Sequence, residues 1–289
     1  MRGGVTELTE LKKFILGGLG AFAVNSSLRP TLLALHGFTG GGGDYAPLAE
    51  ALPEFAWITP DLPGHAPELS APGAPTDDCG VEASLRHLDA VLVEKSGAPI
   101  ILLGYSLGGR LALRDALGRP GRCAALVLIG TSPGIEDAAE RAQRRAADEL
   151  LAQKIIIGGV AAFLDEWQRQ PLIATQARLP EAWWEAMQER RRRLRAEGLA
   201  ASLRQFGQGA VESAWGRLPE LRLPVLVCAG GEDKKYATWA EKLSAVIPKA
   251  ERLIVPRAGH MAHLENREAF AAGLRAFLRK HALSPEKIK

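Results

Sequence analysis

The chain has 289 residues, 47% of them hydrophobic, which is enough for one large domain or for a core domain with an insertion. Its 36 basic and 33 acidic residues give a formal net charge of +3, a balance that argues against nucleic acid as the main partner. No run of about 18 or more apolar residues is present, which argues against a membrane span.

The N-terminal stretch KKFILGGLGAFAV (residues 12–24) places an apolar segment after two lysines, which loosely resembles a secretory signal peptide. Its glycines lie between apolar runs, and no A-x-A type cleavage site follows, so we favour a β-hairpin. The cysteines Cys79, Cys123 and Cys228 are far apart and odd in number. They predict reduced core thiols, and we therefore expect a cytoplasmic protein.

Short apolar runs bounded by turn residues occupy residues 31–37, 55–64, 99–106, 124–134, 224–233 and 251–260. They do not alternate apolar with polar positions, which is typical of parallel strands buried on both faces. Helix-like segments cover residues 81–97, 107–120, 237–248 and 267–283. The alternation of strand and helix predicts an α/β protein with a doubly wound, mostly parallel sheet.

One region breaks this alternation. From about Ser132 to about Leu218 the sequence shows no convincing strand, and Ala, Glu, Arg and Trp recur with helical spacing. We therefore expect a core in two parts, residues 1–132 (with the N-terminal hairpin) and residues 219–289, and a helical cap over residues 133–218. The cap would cover the C-terminal edge of the sheet, where ligands bind in open α/β sheets.

The stretch GYSLG (residues 104–108) fits the pattern G-x-S-x-G and lies between a predicted strand and a predicted helix. Glycines at 104, 108 and 109 would let backbone segments approach closely at a sharp turn. Ser106 would then stand exposed at the start of the helix. The alternative is a serine that only caps the helix.

A reactive serine needs an imidazole, and the imidazole needs an orienting carboxylate. After such a turn the acid precedes the histidine in the chain. Asp233 and His260 end two predicted strands, so both would reach the same sheet edge as Ser106. Glu232 and His263 are the competing candidates.

An oxyanion site needs two backbone N–H groups near the serine. Leu107, the first helical residue, would supply one, and Phe38 in the loop LHGFTGGGGDY would supply the other. The four consecutive glycines could also cradle a phosphate, but no G-K-[ST] follows them. His36 and Gly37 are expected to shape the loop backbone.

We expect no metal and no organic cofactor. No His, Cys and Asp cluster has ligand spacing, and the glycine-rich loop lacks the residues that accompany a bound nucleotide. Two further histidines, His87 and His281, fall in predicted helices and are expected at the surface.

The motifs LHGF, DLPGH, GYSLGGR and AGH resemble those of the α/β-hydrolase superfamily, which by themselves do not specify a reaction. From about residue 31 to the end, the chain more closely resembles the 2-succinyl-6-hydroxy-2,4-cyclohexadiene-1-carboxylate synthases of menaquinone biosynthesis. The motifs that carry this resemblance are GYSLGGRLAL, TSPGIEDAAERAQRRAADELLA, FLDEWQRQPLIATQ, GLAASLRQFGQGA, GGEDKKY and VPRAGHMAHLENREAF. The chain departs from the family at Gln208, where threonine is usual, at DLPGHA in place of DLPGHG, and in a longer N-terminal stretch up to about Leu28.

The resemblance implies a lyase that eliminates pyruvate from 2-succinyl-5-enolpyruvyl-6-hydroxy-3-cyclohexene-1-carboxylate. Ser106, polarised by His260, would act as a base on a carbon acid, without water and without an acyl-enzyme. The first alternative is a carboxylesterase or a carbon–carbon bond hydrolase with the same triad. The second is a non-catalytic binding protein on the same fold.

A substrate with several carboxylates needs cations in its pocket, preferably planar guanidinium groups. Residues 133–215 contain eleven Arg and one Lys. The resemblance places Arg144 and Arg191 at substrate-binding positions, and Arg110 lies one helical turn beyond Ser106.

By the same resemblance, Tyr105 and Trp167 would line the pocket. The run Arg190–Arg193 leaves the register of the second cap arginine open by one residue. For all of these side chains, packing or a surface position is the alternative. The expected partner is a small carboxylate, and the expected state is a monomer.

Overall fold

The computed structural model describes residues 29–66, 78–92 and 98–285, so the predicted N-terminal hairpin lies outside the described residues. The strands are β1 (Thr31–Leu35), β2 (Ala56–Ile58), β3 (Ile100–Tyr105), β4 (Ala125–Ile129), β5 (Val225–Gly230) and β6 (Ala250–Val255). They form one sheet in the order β2-β1-β3-β4-β5-β6, and every pairing between neighbours is parallel. The predicted parallel α/β architecture is confirmed.

The central strands are buried along their whole length, as the continuous apolar runs predict. All five residues of β1 and all five of β4 are buried, since helices cover both faces of the sheet. The strand order reverses between β1 and β3, which opens a crevice at the carboxyl ends of these strands.

The α-helices are α1 (Ala46–Ala51), α2 (Val81–Leu92), α3 (Leu107–Gly118), α4 (Ala138–Trp167), α5 (Pro171–Ala174), α6 (Glu181–Arg192), α7 (Ala196–Phe206), α8 (Lys234–Val246), α9 (Ala262–Glu265) and α10 (Arg267–Lys280). Short 3-10 helices cover Gly42–Tyr45, Thr175–Arg178 and Trp215–Glu220. Within the described ranges, no helix combines the length and the apolar character that crossing a membrane would require.

Two apolar layers hold the helices to the sheet. On one face, Leu111 of α3 and Leu243 of α8 are fully buried against β-strand side chains. On the other face, Phe270 and Leu274 of α10 pack with Leu48 of α1. The sheet is thus the middle layer of three, and its C-terminal edge is left for loops.

Helices α4 to α7 lie between β4 and β5, and residues 130–224 contain no strand. They have their own small apolar core, in which Ile155 and Phe163 of α4 meet Leu199 and Leu203 of α7. Helix α4 is kinked at Gly159, whose φ of 77° lies in the region that favours glycine.

Element boundaries differ from the predicted ones by a few residues. Helix α8 begins at Lys234, three residues before the predicted start, because Asp233 caps it by accepting a hydrogen bond from the Tyr236 N–H at 3.1 Å. Strand β2 covers only three residues of the predicted run 55–64.

Candidate active site

Ser106 lies at the sharp turn between β3 and α3. Its φ of 51° and ψ of −108° are unusual for a residue with a side chain, and such strain persists only where the surroundings fix it. Here the Ser106 N–H donates to the Ile129 carbonyl at 2.9 Å, and the Thr131 hydroxyl donates to the Ser106 carbonyl at 2.8 Å. Neighbouring β4 and the residues after it therefore hold the strained turn in place.

The glycines around Ser106 are required by close backbone contacts. A Cβ at Gly104 would lie 2.4 Å from the Gly108 carbonyl oxygen, and a Cβ at Gly108 would lie 2.2 Å from the Leu35 carbonyl oxygen. Both distances are far below van der Waals contact. The predicted reason for the glycines in G-x-S-x-G is confirmed for these two positions.

A buried hydrogen-bonded chain links the serine to a histidine and an aspartate. His260 Nε2 lies 3.2 Å from Ser106 Oγ, and His260 Nδ1 lies 2.8 Å from Asp233 Oδ2. Because the ionised carboxylate can only accept, Nδ1 carries a proton and Nε2 is free to accept one from the serine. The structure thus brings together the three residues predicted as a triad.

The competing acid and base lie elsewhere. Glu232 is exposed and pairs with Arg178 at 2.7 Å. His263 is buried against the rings of Tyr45 and Tyr105, and burial lowers its pKa to about 3. It is therefore a neutral packing residue at the pocket wall, without a hydrogen bond to Ser106.

The loop that carries His260 is fixed by Glu265, a residue that the sequence reasoning missed. Its side chain is 1% exposed and accepts from the Gly259 N–H at 2.8 Å, the Met261 N–H at 3.0 Å and the Thr175 hydroxyl at 3.0 Å. A glutamate that binds backbone groups leaves no motif in the sequence, so nothing in the pattern pointed to it.

Phe38 and Leu107, whose backbone N–H groups are predicted for an oxyanion site, both line the pocket. In the part of the chain that the structure describes, neither Leu107 N–H nor Phe38 N–H donates to another protein group. His36 shapes this loop as predicted, since its Nε2 accepts from the Leu62 N–H at 2.9 Å and its Nδ1 then donates to the Gly37 carbonyl at 2.8 Å.

A pocket lies above Ser106, between the sheet edge and the inserted helices. All five side chains predicted to bind substrate line it: Tyr105, Arg110, Arg144, Trp167 and Arg191. Further polar side chains that the sequence did not point to line it as well, among them Gln176, Gln208, Lys235 and Tyr236. Their positions follow from contacts between distant elements, so spacing gave no signal for them.

Arg191 is the arginine of the run 190–193 that enters the pocket. It is 2% exposed, and its Nη2 donates to Gln176 Oε1 at 2.7 Å. Its Nε and Nη1 have no partner within the described ranges. Arg190 instead pairs with Asp44 at 2.8 Å, and Arg192 is exposed, so Arg191 is the arginine of the run that lines the pocket.

Arg110 and Arg144 form a second cationic wall. Arg110 is 5% exposed, donates from Nη2 to the Phe206 carbonyl at 3.2 Å, and has an Nε with no partner among the described residues. Burial lowers its pKa to about 10, so it stays charged at neutral pH. Arg144 is held by Asp148 at 2.8 Å and by Gln208 at 3.2 Å.

Trp167 closes the apolar side of the pocket. Its ring centroid lies 5.6 Å from that of Phe38 and 5.5 Å from that of Phe163. Its buried indole N–H has no partner within the described part of the chain. Tyr105 forms the wall beside the triad, with its ring centroid 5.3 Å from that of His260.

Two other histidines lie half-buried, in contrast to the predicted surface positions. His281 packs on Phe277, and its Nε2 lies 2.7 Å from Glu251 Oε1. Burial lowers the pKa of His87. Both side chains rest against the body of the protein because their helices pack on the sheet along one apolar side.

The cysteines are buried and free, as predicted. Burial raises the pKa of Cys123 to about 12 and raises that of Cys228 further, so neither thiol is reactive near neutral pH. Among residues 29–66, 78–92 and 98–285, no group of three or more His, Cys, Asp or Glu could hold a metal ion.

The parallel sheet, the strained serine after β3, and the acid and histidine after later strands define a protein with an α/β-hydrolase fold. Residues 32–273 match the model of the alpha/beta hydrolase family. A protein of Bacillus subtilis (strain 168), provisionally named 2-succinyl-6-hydroxy-2,4-cyclohexadiene-1-carboxylate synthase, is 35% identical over 250 residues, which cover 86% of this chain and 89% of the relative. The synthase of that name from Serratia proteamaculans (strain 568) is 32% identical over 251 residues, covering 86% of this chain and 93% of the relative.

A solved structure, that of MenH from S. aureus, superposes with a TM-score of 0.83 at 30% identity. The match covers 90% of this chain and 97% of that one. The chain therefore belongs to the alpha/beta hydrolase family and, within it, to the family of 2-succinyl-6-hydroxy-2,4-cyclohexadiene-1-carboxylate synthases.

Proposed function

We propose that this chain converts 2-succinyl-5-enolpyruvyl-6-hydroxy-3-cyclohexene-1-carboxylate to 2-succinyl-6-hydroxy-2,4-cyclohexadiene-1-carboxylate and pyruvate, as a carbon–oxygen lyase of menaquinone biosynthesis. The observation that carries the proposal is the buried Arg191 guanidinium in the pocket, with Nε and Nη1 unpaired among the described residues. An unpaired buried charge is costly. A polyanionic substrate supplies charged acceptors that neutralise the guanidinium, whereas a neutral ester offers only an uncharged carbonyl oxygen.

Ser106 is the base of the proposed reaction. His260 Nε2, 3.2 Å away, accepts the serine proton, and Asp233 stabilises the resulting imidazolium. The serine oxygen then removes the proton from ring carbon 2, next to the carboxylate-bearing carbon. The ring double bond shifts, and the bond from carbon 5 to the enolpyruvyl oxygen breaks, which releases the enolate of pyruvate. The enolate takes the proton held by the His260 imidazolium and becomes pyruvate, while Ser106 keeps the proton of carbon 2, so serine and histidine return to their starting states. No water is consumed.

The oxyanion site stabilises the charge that develops in this step. Carbon 2 carries the succinyl carbonyl, so removal of its proton places negative charge on that oxygen. The N–H groups of Phe38 and Leu107 are the donors we assign to it, since neither is occupied by a protein acceptor in the described part of the chain.

The carboxylates of the substrate are bound by the cationic walls. Arg191 takes one carboxylate, and Arg110 and Arg144 take another. The rings of Tyr105 and Trp167 cover the cyclohexene ring and exclude water. In this proposal residues 133–218 act as a cap, between core segments 1–132 and 219–289.

We propose that the reaction takes place in the cytoplasm and that the protein is a monomer. Size-exclusion chromatography with light scattering tests the second point, since a mass near twice 31.0 kDa would contradict it.

The decisive experiment is a turnover assay in which the preceding pathway enzyme generates the substrate in situ. Pyruvate release is followed by a coupled lactate dehydrogenase reaction, and the product is analysed after turnover in ¹⁸O-labelled water. The proposal requires release of pyruvate with no label in any carboxylate group, the keto oxygens being left out of the comparison because they exchange with water. A carboxylesterase or carbon–carbon bond hydrolase, which the same triad geometry would permit, yields labelled acid instead. Failure to release pyruvate would refute the lyase assignment.

A further inference from the structure

Tyr236 packs against the catalytic histidine, as Tyr105 does. It belongs to the first turn of α8, directly after the Asp233 cap, and its ring centroid is 4.5 Å from that of His260. The side chain is 6% exposed and lines the pocket. None of the sequence motifs assigns it a role.

The proton of the Tyr236 hydroxyl is oriented by Gln208. An arginine can only donate, so the Gln208 amide oxygen must face Arg144, which donates to it at 3.2 Å. The amide nitrogen therefore faces Tyr236 and donates to its hydroxyl oxygen at 3.4 Å. Among the residues that the structure describes, no protein group accepts the hydroxyl proton of Tyr236.

The hydroxyl also lies within a positively charged part of the pocket. Burial raises the pKa of Tyr236, while the charges of Arg110 and Arg144 act in the opposite direction, which places both guanidinium groups near its oxygen. The phenol therefore stays neutral and keeps its proton at neutral pH. A neutral hydroxyl donor near two guanidinium groups is well suited to bind a carboxylate and unsuited to bind a cation.

We infer that Tyr236 is a further substrate-binding residue, whose hydroxyl donates to the same substrate carboxylate that Arg110 and Arg144 bind. Gln208 is a positioning residue, because its amide fixes the direction of that donation. The inference rests on the proposed function. It also gives a role to the departure of this chain at position 208, since threonine is too short to span from a cap arginine to a tyrosine on α8.

The first test is Tyr236→Phe in the pyruvate assay. We expect KM to rise by roughly 10- to 100-fold, as for a lost hydrogen bond to a charged group. The triad is untouched, so kcat should change by less than about threefold. The control is Tyr45→Phe, because the Tyr45 hydroxyl already donates to the Leu35 carbonyl at 2.9 Å. That variant should lose stability and keep its KM within about twofold.

The second test is a double-mutant cycle with Gln208→Glu. A carboxylate at 208 accepts from both Arg144 and the Tyr236 hydroxyl, so the proton no longer points to the ligand. The penalty of Tyr236→Phe, roughly tenfold or more in the wild-type background, should therefore disappear in the Gln208→Glu background. An equal penalty in both backgrounds would overturn the role of Gln208. Should Tyr236→Phe fail to fold, Gln208→Glu alone must raise KM at least about tenfold, and a wild-type KM would refute the inference.

The proposed function and the role of Tyr236 can be refuted separately. If the wild-type protein releases no pyruvate, the proposed function is wrong. If the wild-type protein is active and Tyr236→Phe keeps the wild-type KM, the proposed function stands and only the role of Tyr236 is wrong.

Discussion

Replacing Arg191 by methionine should make the free protein more stable and, at the same time, a poorer enzyme. The guanidinium is buried, and its Nε and Nη1 have no partner within the described ranges. Removing two unsatisfied buried donors relieves about 1–3 kcal/mol for each. Leaving the Gln176 oxygen without its 2.7 Å donor costs about 1–3 kcal/mol. The net expectation is a gain of about 1–3 kcal/mol in the free energy of unfolding.

The activity should change in the opposite direction. The loss of one charge-assisted pair with a substrate carboxylate, about 2–3 kcal/mol, lowers kcat/KM by roughly 30- to 150-fold. Lysine should restore only part of it, because a point charge does not reproduce the planar fork. Arg144→Ala is expected to lower kcat/KM for the same reason and by a similar factor.

The assay pairs thermal unfolding without ligand with steady-state pyruvate release. A gain of 1 kcal/mol corresponds to a rise in Tm of about 2–4 °C for a chain of this order of size. The matched control is Arg192→Met, one residue further along α6, where the side chain is 66% exposed. This variant should change neither Tm nor kcat/KM appreciably. A lower Tm with unchanged kcat/KM for Arg191→Met would refute the reasoning. The reasoning would also be refuted if Arg191→Met lost cleavage of a neutral ester to the same degree as turnover of the carboxylate substrate. Arg191 would then act through packing and not through its charge.

Three further predictions concern the triad, metals and pH. Ser106→Ala, His260→Ala and Asp233→Asn should each lower kcat at least ~100-fold, and near-normal turnover of Ser106→Ala would show that the turn has no catalytic role. Incubation with EDTA should leave turnover unchanged, and a loss that a divalent cation restores would contradict this. Burial lowers the pKa values of His65 and His263 from 6.5 to about 3 in the folded protein. Between these two values the unfolded chain therefore binds more protons than the folded one. The free energy of unfolding should therefore fall as the pH falls from about 6.5 towards 3, by up to about 2.7 kcal/mol per unit, and urea titrations that coincide at pH 7, 6 and 5 would contradict the buried neutral state.

The triad could be predicted from sequence because each of its members follows a strand. A parallel sheet gathers the carboxyl ends of its strands at one edge, so three distant residues could be placed together without knowing any side-chain contact. The burial of β1 and β4 followed from their unbroken apolar runs in the same way. The helical stretch between β4 and β5 was recognisable because its periodicity differs from that of the strands.

The remaining parts of the site depend on contacts that no local pattern encodes. Gln208 reaches Arg144, 64 positions earlier, and Tyr236, 28 positions later. Glu265 acts on the backbone N–H groups beside His260, and any residue type can provide those. The burial of His281 depends on where its helix meets Phe277 and Glu251. Each of these positions is set by packing between elements, which sequence spacing does not reveal.

Helices α4 to α7 form one uninterrupted stretch between β4 and β5. A large part of the proposed substrate-binding site can therefore be exchanged as a single segment of the chain. Arg144, Trp167 and Arg191 all belong to that stretch, whereas Ser106, Asp233 and His260 lie outside it. A single exchange of the segment could redirect the enzyme to other substrates without moving a reacting atom. Arg110 limits that freedom, because it lies on α3, outside the exchanged segment, and lines the pocket. Any exchanged segment would therefore still face the positive charges of Arg110 and Lys235, which both line the pocket from outside that segment and favour anionic substrates.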